Sequence, residues 1–207
     1  MPPAFIYFDL GNVICHFSRE KEVSQVAAVS GLPEVKVKEV LLGENGLLWQ
    51  YEAGQLDDDG FRKAFCAATG SHVATADLLK ANAEIFTLNG SLVPLIGHLE
   101  DSQIPLGILS NTSPSHWKYL TDGRYAILPG AFRKFVLSYQ VGVIKPDEKI
   151  FRVAIETAGV PAEQIFYTDD LPEHIAAAKR LGMDAVLYTT TDALAAELRT
   201  RGVRCNF

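Results

Sequence analysis

The sequence predicts an α/β protein built on a parallel sheet, with a smaller helical unit inserted after the first strand. Three observations carry this. Apolar runs of four to six residues recur along the chain, each followed by a polar residue, a turn and a helical pattern. That is how a parallel strand covered on both faces delivers a side chain to the C-terminal edge of its sheet. Beyond Gly90 such strands alternate with helices at spacings that require right-handed βαβ crossovers, whereas between about residues 17 and 88 the period is helical throughout.

Residues 4–9 open the chain as a strand, because Phe5, Ile6, Tyr7 and Phe8 form a continuous apolar run. The segments EKEVSQVAAVSG, PEVKVKEVLLG, DDDGFRKAFCAATG and ATADLLKANAEIF then predict four helices, with Gly31, Gly43 and Gly70 near three of the ends. In the third, Asp57 to Asp59 load the positive end of the helix dipole, while Phe61, Phe65 and Ala68 share a face. The expected division is a core of residues 1–16 and 89–207 and a four-helix cap of residues 17–88 over the end of the first strand. The core continues with helices near 91–101, 115–121, 147–158, 172–181 and 192–201, and strands near 104–109, 135–138, 164–168 and 185–188. No repeat or low-complexity stretch interrupts it.

Composition excludes several classes. The chain has 207 residues, enough for one core domain with an insertion, and its 48% hydrophobic content suffices for a sizeable core. With a net charge of −6 and no basic cluster, the electrostatic footprint of a nucleic-acid binder is missing. The first segment, MPPAFIYFDLGNVI, lacks a basic leader, and Asp9 interrupts its apolar run far short of a membrane span, so a cytoplasmic protein without membrane partners is expected. Cys15, Cys66 and Cys205 are widely spaced and have no zinc-ligand pattern, so thiols are expected rather than disulfides. Oligomeric state is not encoded in any feature of the sequence.

Four polar positions stand at strand ends in a fixed order: Asp9 after AFIYF, Ser110-Asn111 after IPLGIL, Lys145 after SYQVGVI, and Asp169-Asp170 after QIFYT. A carboxylate attacks phosphorus competently when a metal and cations neutralise the phosphoryl oxygens. Asp169 offers a second hard oxygen ligand of the kind Mg²⁺ prefers. Ser110 and Asn111 open a turn whose hydroxyl and N–H groups suit phosphate oxygens, although helix capping is an alternative reading of the same residues. Lys145 precedes Pro146, which fixes the backbone entering the next helix.

The strings FDLGNVI, ILSNTS, VGVIKPDEKIF and FYTDDLPEHIAAAKRLG, in that order, closely resemble the haloacid dehalogenase superfamily of phosphohydrolases. The resemblance spans nearly the whole chain. It implies a Rossmann-like core with a helical cap and Mg²⁺-dependent transfer of a phosphoryl group to the first Asp, then to water. Carried onto this chain, Asp9 is nucleophile and metal ligand, with the Gly11 carbonyl and Asp169 also on the metal. Ser110, Asn111 and Lys145 hold the phosphoryl group, while Asp170 and Glu173 orient metal-bound waters. The partner is then a small phosphorylated metabolite.

One departure stands out. The superfamily's phosphatases usually read DxDGT at the first motif, so Gly11 replaces the Asp that protonates the leaving oxygen. Losing a general acid costs roughly 10²–10⁴-fold in rate. The DLGN string also resembles the branch of sugar-phosphate phosphatases acting on α-D-glucose 1-phosphate, whose anomeric oxygen leaves more easily. Substitute acids include His16, Glu44 and Glu52, and Gly11 itself is expected to tolerate a positive φ. Trp49 and Tyr51 in the loop GENGLLWQYEAGQ face a sugar or form the cap's own core.

Two alternatives remain at this level. In a metal-independent 2-haloacid dehalogenase the same Asp attacks carbon, and the Asp169-Asp170 pair argues against that chemistry. A non-catalytic phosphate-binding or regulatory protein would keep the pocket without the acid. A receiver domain is excluded, because its acidic pair lies on the first strand.

Overall fold

The computed structural model describes residues 2–204. The chain folds into an α/β core whose sheet contains β1 (Phe5–Phe8), β4 (Leu106–Ser110), β5 (Lys134–Leu137), β6 (Ile165–Asp169) and β7 (Asp184–Leu187), with a second pair of strands, β2 (Cys15–Phe17) and β3 (Phe86–Leu88), outside it. All pairings in the main sheet are parallel, in the order β5-β4-β1-β6-β7. Central β1 therefore lies between β4 and β6, and three ends that carry predicted site residues are neighbours.

Alternation on β1 divides the core into two layers. Ile6 and Phe8 join Leu95, Ile96, Leu99, Leu194 and Leu198 on one face. Phe5 and Tyr7 join Phe151, Ala154, Ile175 and Ala178 on the other. Successive side chains of a strand point to opposite faces, and helices covering both faces explain why β1 reads as an unbroken apolar run. The covering helices are α6 (Val93–Asp101) and α11 (Thr191–Thr200) on the first side, and α9 (Glu148–Ala158) and α10 (Pro172–Arg180) on the second. Two shorter helices, α7 (Pro114–Leu120) and α8 (Ser138–Val141), follow the strands β4 and β5 directly.

Between β2 and β3 lie α1 (Arg19–Ser30), α2 (Glu34–Leu42), α3 (Leu47–Glu52), α4 (Asp58–Thr69) and α5 (Thr75–Ala83). Ser18 caps α1, its side chain accepting the Lys21 N–H, and Asp57 caps α4 in the same way through Gly60. These helices share a core of their own, including Val26, Leu41, Tyr51, Phe61, Phe65 and Leu78. The count of four helices expected here becomes five among the described residues. Helix α3 is six residues long and bounded by Gly46 and Gly54, too short for a 3.6-residue period to emerge from the sequence. The antiparallel pair β2–β3, with Phe17 opposite Phe86, was also invisible at three residues per strand. It joins the helical unit to the core.

Tyr51 is fully buried and stacks on Phe61 at 4.5 Å between ring centroids, so it belongs to the helical unit's core. Trp49 is exposed. Cys15 and Cys66 are free thiols, and Cys205 lies outside the described residues. Among the described residues no helix is long and apolar enough to cross a membrane.

Candidate active site

The strand ends converge on a buried ammonium. Lys145 Nζ has four acceptors within reach of its three N–H groups: Asp9 Oδ1 at 2.7 Å, Asp169 Oδ2 at 2.6 Å, the Leu109 carbonyl at 3.0 Å and the Tyr167 hydroxyl at 3.1 Å. Its side chain is 1% exposed. Burying a charge so completely is tolerable only when it is paired and hydrogen-bonded. Burial favours the neutral amine, but Asp9 and Asp169 outweigh it and hold Lys145 more firmly charged than an ordinary lysine.

The two acids around it differ. The Asp9 carboxyl is pushed up to about 6, because burial and the neighbouring Asp169 carboxylate together outweigh the downward pull of the Lys145 ammonium. Asp169 is also buried, yet Lys145 and His174 outweigh that burial and hold its carboxyl well below the usual carboxylate range. Both Asp169 oxygens are engaged from within the protein. Oδ1 accepts the Leu171 N–H at 2.9 Å, Oδ2 accepts from Lys145 and from the Tyr167 hydroxyl, and His174 Nδ1 lies 3.0 Å from each oxygen.

Asp170 occupies a different position. It is half-buried, and its Oδ2 accepts from Asn12 Nδ2 at 3.0 Å. Asn12 reaches it from a left-handed backbone, φ 57°, a conformation Asn adopts more readily than most residues. One oxygen from each of Asp9, Asp169 and Asp170 falls within 4.8 Å of the others, a hard-oxygen donor set that suits Mg²⁺. A cavity of about 260 Å³ opens above them, lined by Asp9, Gly11, Ser110, Asn111, Lys145 and Asp170 on the core side. Asp169 lies beneath this lining, so of the acidic pair it is Asp170 that borders the open space.

The Asn111 side chain is bonded to Lys145. Its Oδ1 accepts the Lys145 backbone N–H at 2.7 Å and its Nδ2 donates to the Lys145 carbonyl at 3.1 Å. The amide is committed to holding the Lys145 backbone rather than free for phosphate oxygens. Glu173, expected near the metal, is exposed on the first turn of α10 and does not line the cavity. A residue on the N-terminal turn of a helix projects according to the helix phase, and it is the next one, His174, that turns inward.

Of the substitute acids, Glu52 lines the cavity, whereas Glu44 is exposed away from it and His16 borders a separate hollow. Gly11 is not in the left-handed region. A Cβ there would stand 2.9 Å from Phe17 Cε1 and 3.9 Å from Asp9 Oδ2, so the space an acid would occupy is partly taken by an aromatic ring.

Several lining residues were not singled out from the sequence: Phe17, Arg19, Phe86, His116 and His174. They sit on the β2–β3 pair, on the first turn of α1 and on helices α7 and α10, where no strand end marks them. Only the adjacency of His174 to the acidic pair offered a signal.

Comparison with known proteins agrees with this architecture. A D-ribitol-5-phosphate phosphatase of Bacteroides thetaiotaomicron is 27% identical over 185 residues, covering 86% of this chain and 88% of that protein. A crystal structure described as a predicted HAD-like family hydrolase from Porphyromonas gingivalis superposes with a TM-score of 0.80 at 28% identity, covering 94% of this chain and 97% of that one. A HAD family enzyme of Bacteroides thetaiotaomicron, solved with magnesium and inorganic phosphate, superposes with a TM-score of 0.77 at 22% identity, over 89% of this chain and 93% of that one. The model of the haloacid dehalogenase-like hydrolases matches residues 6–182. With that match across most of its length and with this core, the chain belongs to the haloacid dehalogenase-like hydrolase family.

Proposed function

We propose that the protein is a cytoplasmic, Mg²⁺-dependent phosphatase of a small phosphorylated metabolite, working through an aspartyl-phosphate on Asp9. The observation that carries this reading is the buried Lys145 ammonium bridging Asp9 and Asp169 beneath a small cavity bordered by Asp170. The related D-ribitol-5-phosphate phosphatase supports it and favours a sugar or polyol phosphate as substrate class.

Residues 17–88 act as the cap and the flanking segments 1–16 and 89–207 as the catalytic core. Asp9, Asp170 and the Gly11 carbonyl would hold the metal, a revision that moves the ligand role from Asp169 to Asp170 because the oxygens of Asp169 already accept from four neighbours. Bound Mg²⁺ supplies charge neutralisation for the phosphoryl oxygens. Asp169 instead anchors Lys145 and His174.

Asp9 attacks phosphorus, an O–P bond forms as the bond to the leaving oxygen breaks, and the electron pair departs with that oxygen. Ser110 and Lys145 hold the phosphoryl oxygens, and Asn111 orients Lys145 through its backbone. Water then attacks phosphorus, releasing inorganic phosphate and regenerating the Asp9 carboxylate. No carboxyl stands at Gly11, and Glu52, the candidate substitute acid that lines the cavity, is paired with Arg19, so the leaving oxygen takes its proton from solvent and acidic leaving groups react fastest.

The test is phosphate release from a panel of phosphomonoesters with Mg²⁺ and with chelator. Release that needs Mg²⁺ and disappears in Asp9→Asn supports the reading. Chelator-insensitive halide release from a 2-haloacid, without phosphatase activity, overturns it.

A further inference from the structure

We infer that the cap-side half of the cavity selects a small, uncharged, hydroxyl-bearing leaving group through the Arg19–Glu52 ion pair. This inference rests on the phosphatase reading above and assigns the recognition of the leaving group to named residues.

Arg19 is the first residue of α1, and its guanidinium joins Glu22 of the same helix to Glu52 at the end of α3. Nη1 donates to Glu22 Oε2 at 2.8 Å and Nη2 donates to Glu52 Oε1 at 3.1 Å. The guanidinium also lies over the Phe17 ring, 4.9 Å from its centroid, so its plane is fixed from a third side. Glu22 is fully buried, whereas the side chains of Arg19 and Glu52 are 31% and 13% exposed and both line the cavity. A guanidinium carries five N–H donors. These bonds use two of its nitrogens and one Glu52 oxygen, which leaves fixed donors beside a carboxylate acceptor at the cavity wall.

Charge decides what this wall accepts. Arg19 contributes one positive charge against the two negative charges of Glu22 and Glu52, so these three side chains are net negative, and His116, 3.7 Å from Glu22, adds a positive charge only when protonated. Lys145 and the proposed metal lie on the core side, where the phosphoryl group belongs. A second phosphate or a carboxylate on the leaving group would meet an unbalanced acid at short range. An ammonium placed on the free Glu52 oxygen would stand beside the Arg19 guanidinium, a like charge.

A hydroxyl meets neither repulsion. It donates to the carboxylate and accepts from the guanidinium, and a buried hydroxyl needs such partners. Elsewhere in the lining stand Phe17 and Phe86, whose ring centroids are 6.1 Å apart. They suit the C–H face that a polyol chain or sugar ring presents alongside its hydroxyls. The cavity volume of about 260 Å³ lies just below the ~300 Å³ lower end of ordinary ligand pockets, which limits the leaving group to a few carbons.

Binding to the Asp9→Asn protein with Mg²⁺, measured by calorimetry, and turnover by the wild type would be compared for ribitol 5-phosphate, phosphoglycolate and phosphoethanolamine. The expected order places the polyol ester at least tenfold ahead of both charged esters in Kd and in kcat/KM. In Glu52→Gln and Arg19→Gln the polyol advantage over phosphoglycolate shrinks by about tenfold, the scale of one charge-assisted hydrogen bond, with KM carrying most of the loss. A wild type that prefers either charged ester, or variants that keep the full polyol advantage, overturns the inference. Absence of turnover with the binding order preserved would overturn the phosphatase reading and leave the leaving-group assignment standing.

Discussion

Asn111 grips Lys145 by both of its backbone polar groups: Oδ1 accepts the backbone N–H at 2.7 Å and Nδ2 donates to the carbonyl at 3.1 Å. The residue after the β4 strand end thereby sets the height at which the Lys145 ammonium meets Asp9. Asn111→Ala should lower kcat/KM roughly 10- to 100-fold through misplacement of that ammonium, with circular dichroism and Tm near wild type. A variant with full kcat/KM would show that Lys145 is positioned by its carboxylates alone.

The acidic pair separates by readout. Asp170→Asn should raise the Mg²⁺ concentration for half-maximal phosphate release by about tenfold or more while changing thermal stability little. Asp169→Asn removes a partner from a buried ammonium and should destabilise the fold by about 3 kcal/mol, measured by urea unfolding without Mg²⁺. Reversed outcomes would return the metal to Asp169.

Gly11 is crowded rather than strained, because an added Cβ stands 2.9 Å from Phe17 Cε1 and the backbone is outside the left-handed region. Gly11→Asp alone should therefore gain little. Combined with Phe17→Leu it should speed alkyl phosphates by up to the ~10²-fold lower range of general acid catalysis and aryl phosphates far less. Equal gains on both would mean that the new carboxyl is not protonating the leaving oxygen.

Glu22 supplies a pH test of stability. It is fully buried, and its Oε1 has no hydrogen-bond partner, with His116 Nε2 3.7 Å away. Burial raises its carboxyl, but His116 and Arg19 outweigh burial and hold it below the ordinary range. A folded pKa below the unfolded one means that the unfolded chain binds more protons, so this contribution is present above about pH 4.3 and fades as pH falls through the folded value. The stability difference between wild type and Glu22→Gln should be about 2 kcal/mol at pH 7 and shrink on acidification. A difference that grows toward low pH would contradict the assignment.

Much of this architecture was legible in the residues, for identifiable reasons. Continuous apolar runs such as Phe5–Phe8 are expected of strands buried on two faces, and a polar residue closing each run marks the sheet edge that binds ligands. That reasoning reached Asp9, Ser110, Lys145 and the acidic pair, which the fold does bring together. It could not order Asp169 and Asp170, because adjacent residues at a strand end leave on opposite sides and only the register of β6 decides which one faces the cavity. Nor could it reach Arg19, Phe86 or His116, whose approach depends on how α1, β3 and α7 pack rather than on any local pattern. Asn111 was visible as a polar residue at the edge, but its commitment to the Lys145 backbone is a long-range bond across 34 residues.

The bonds at Lys145 Nζ tie that residue to partners 22, 24, 36 and 136 positions away in the chain. No fragment shorter than residues 9–169 contains this constellation, so a partly folded chain presents no complete ligand site. By mass action, a ligand that recognises only the assembled cluster opposes unfolding of the whole core, by about 2.7 kcal/mol at a hundred times its Kd. Anion and cation titrations followed by thermal melting would therefore report site occupancy for variants that have lost every trace of turnover.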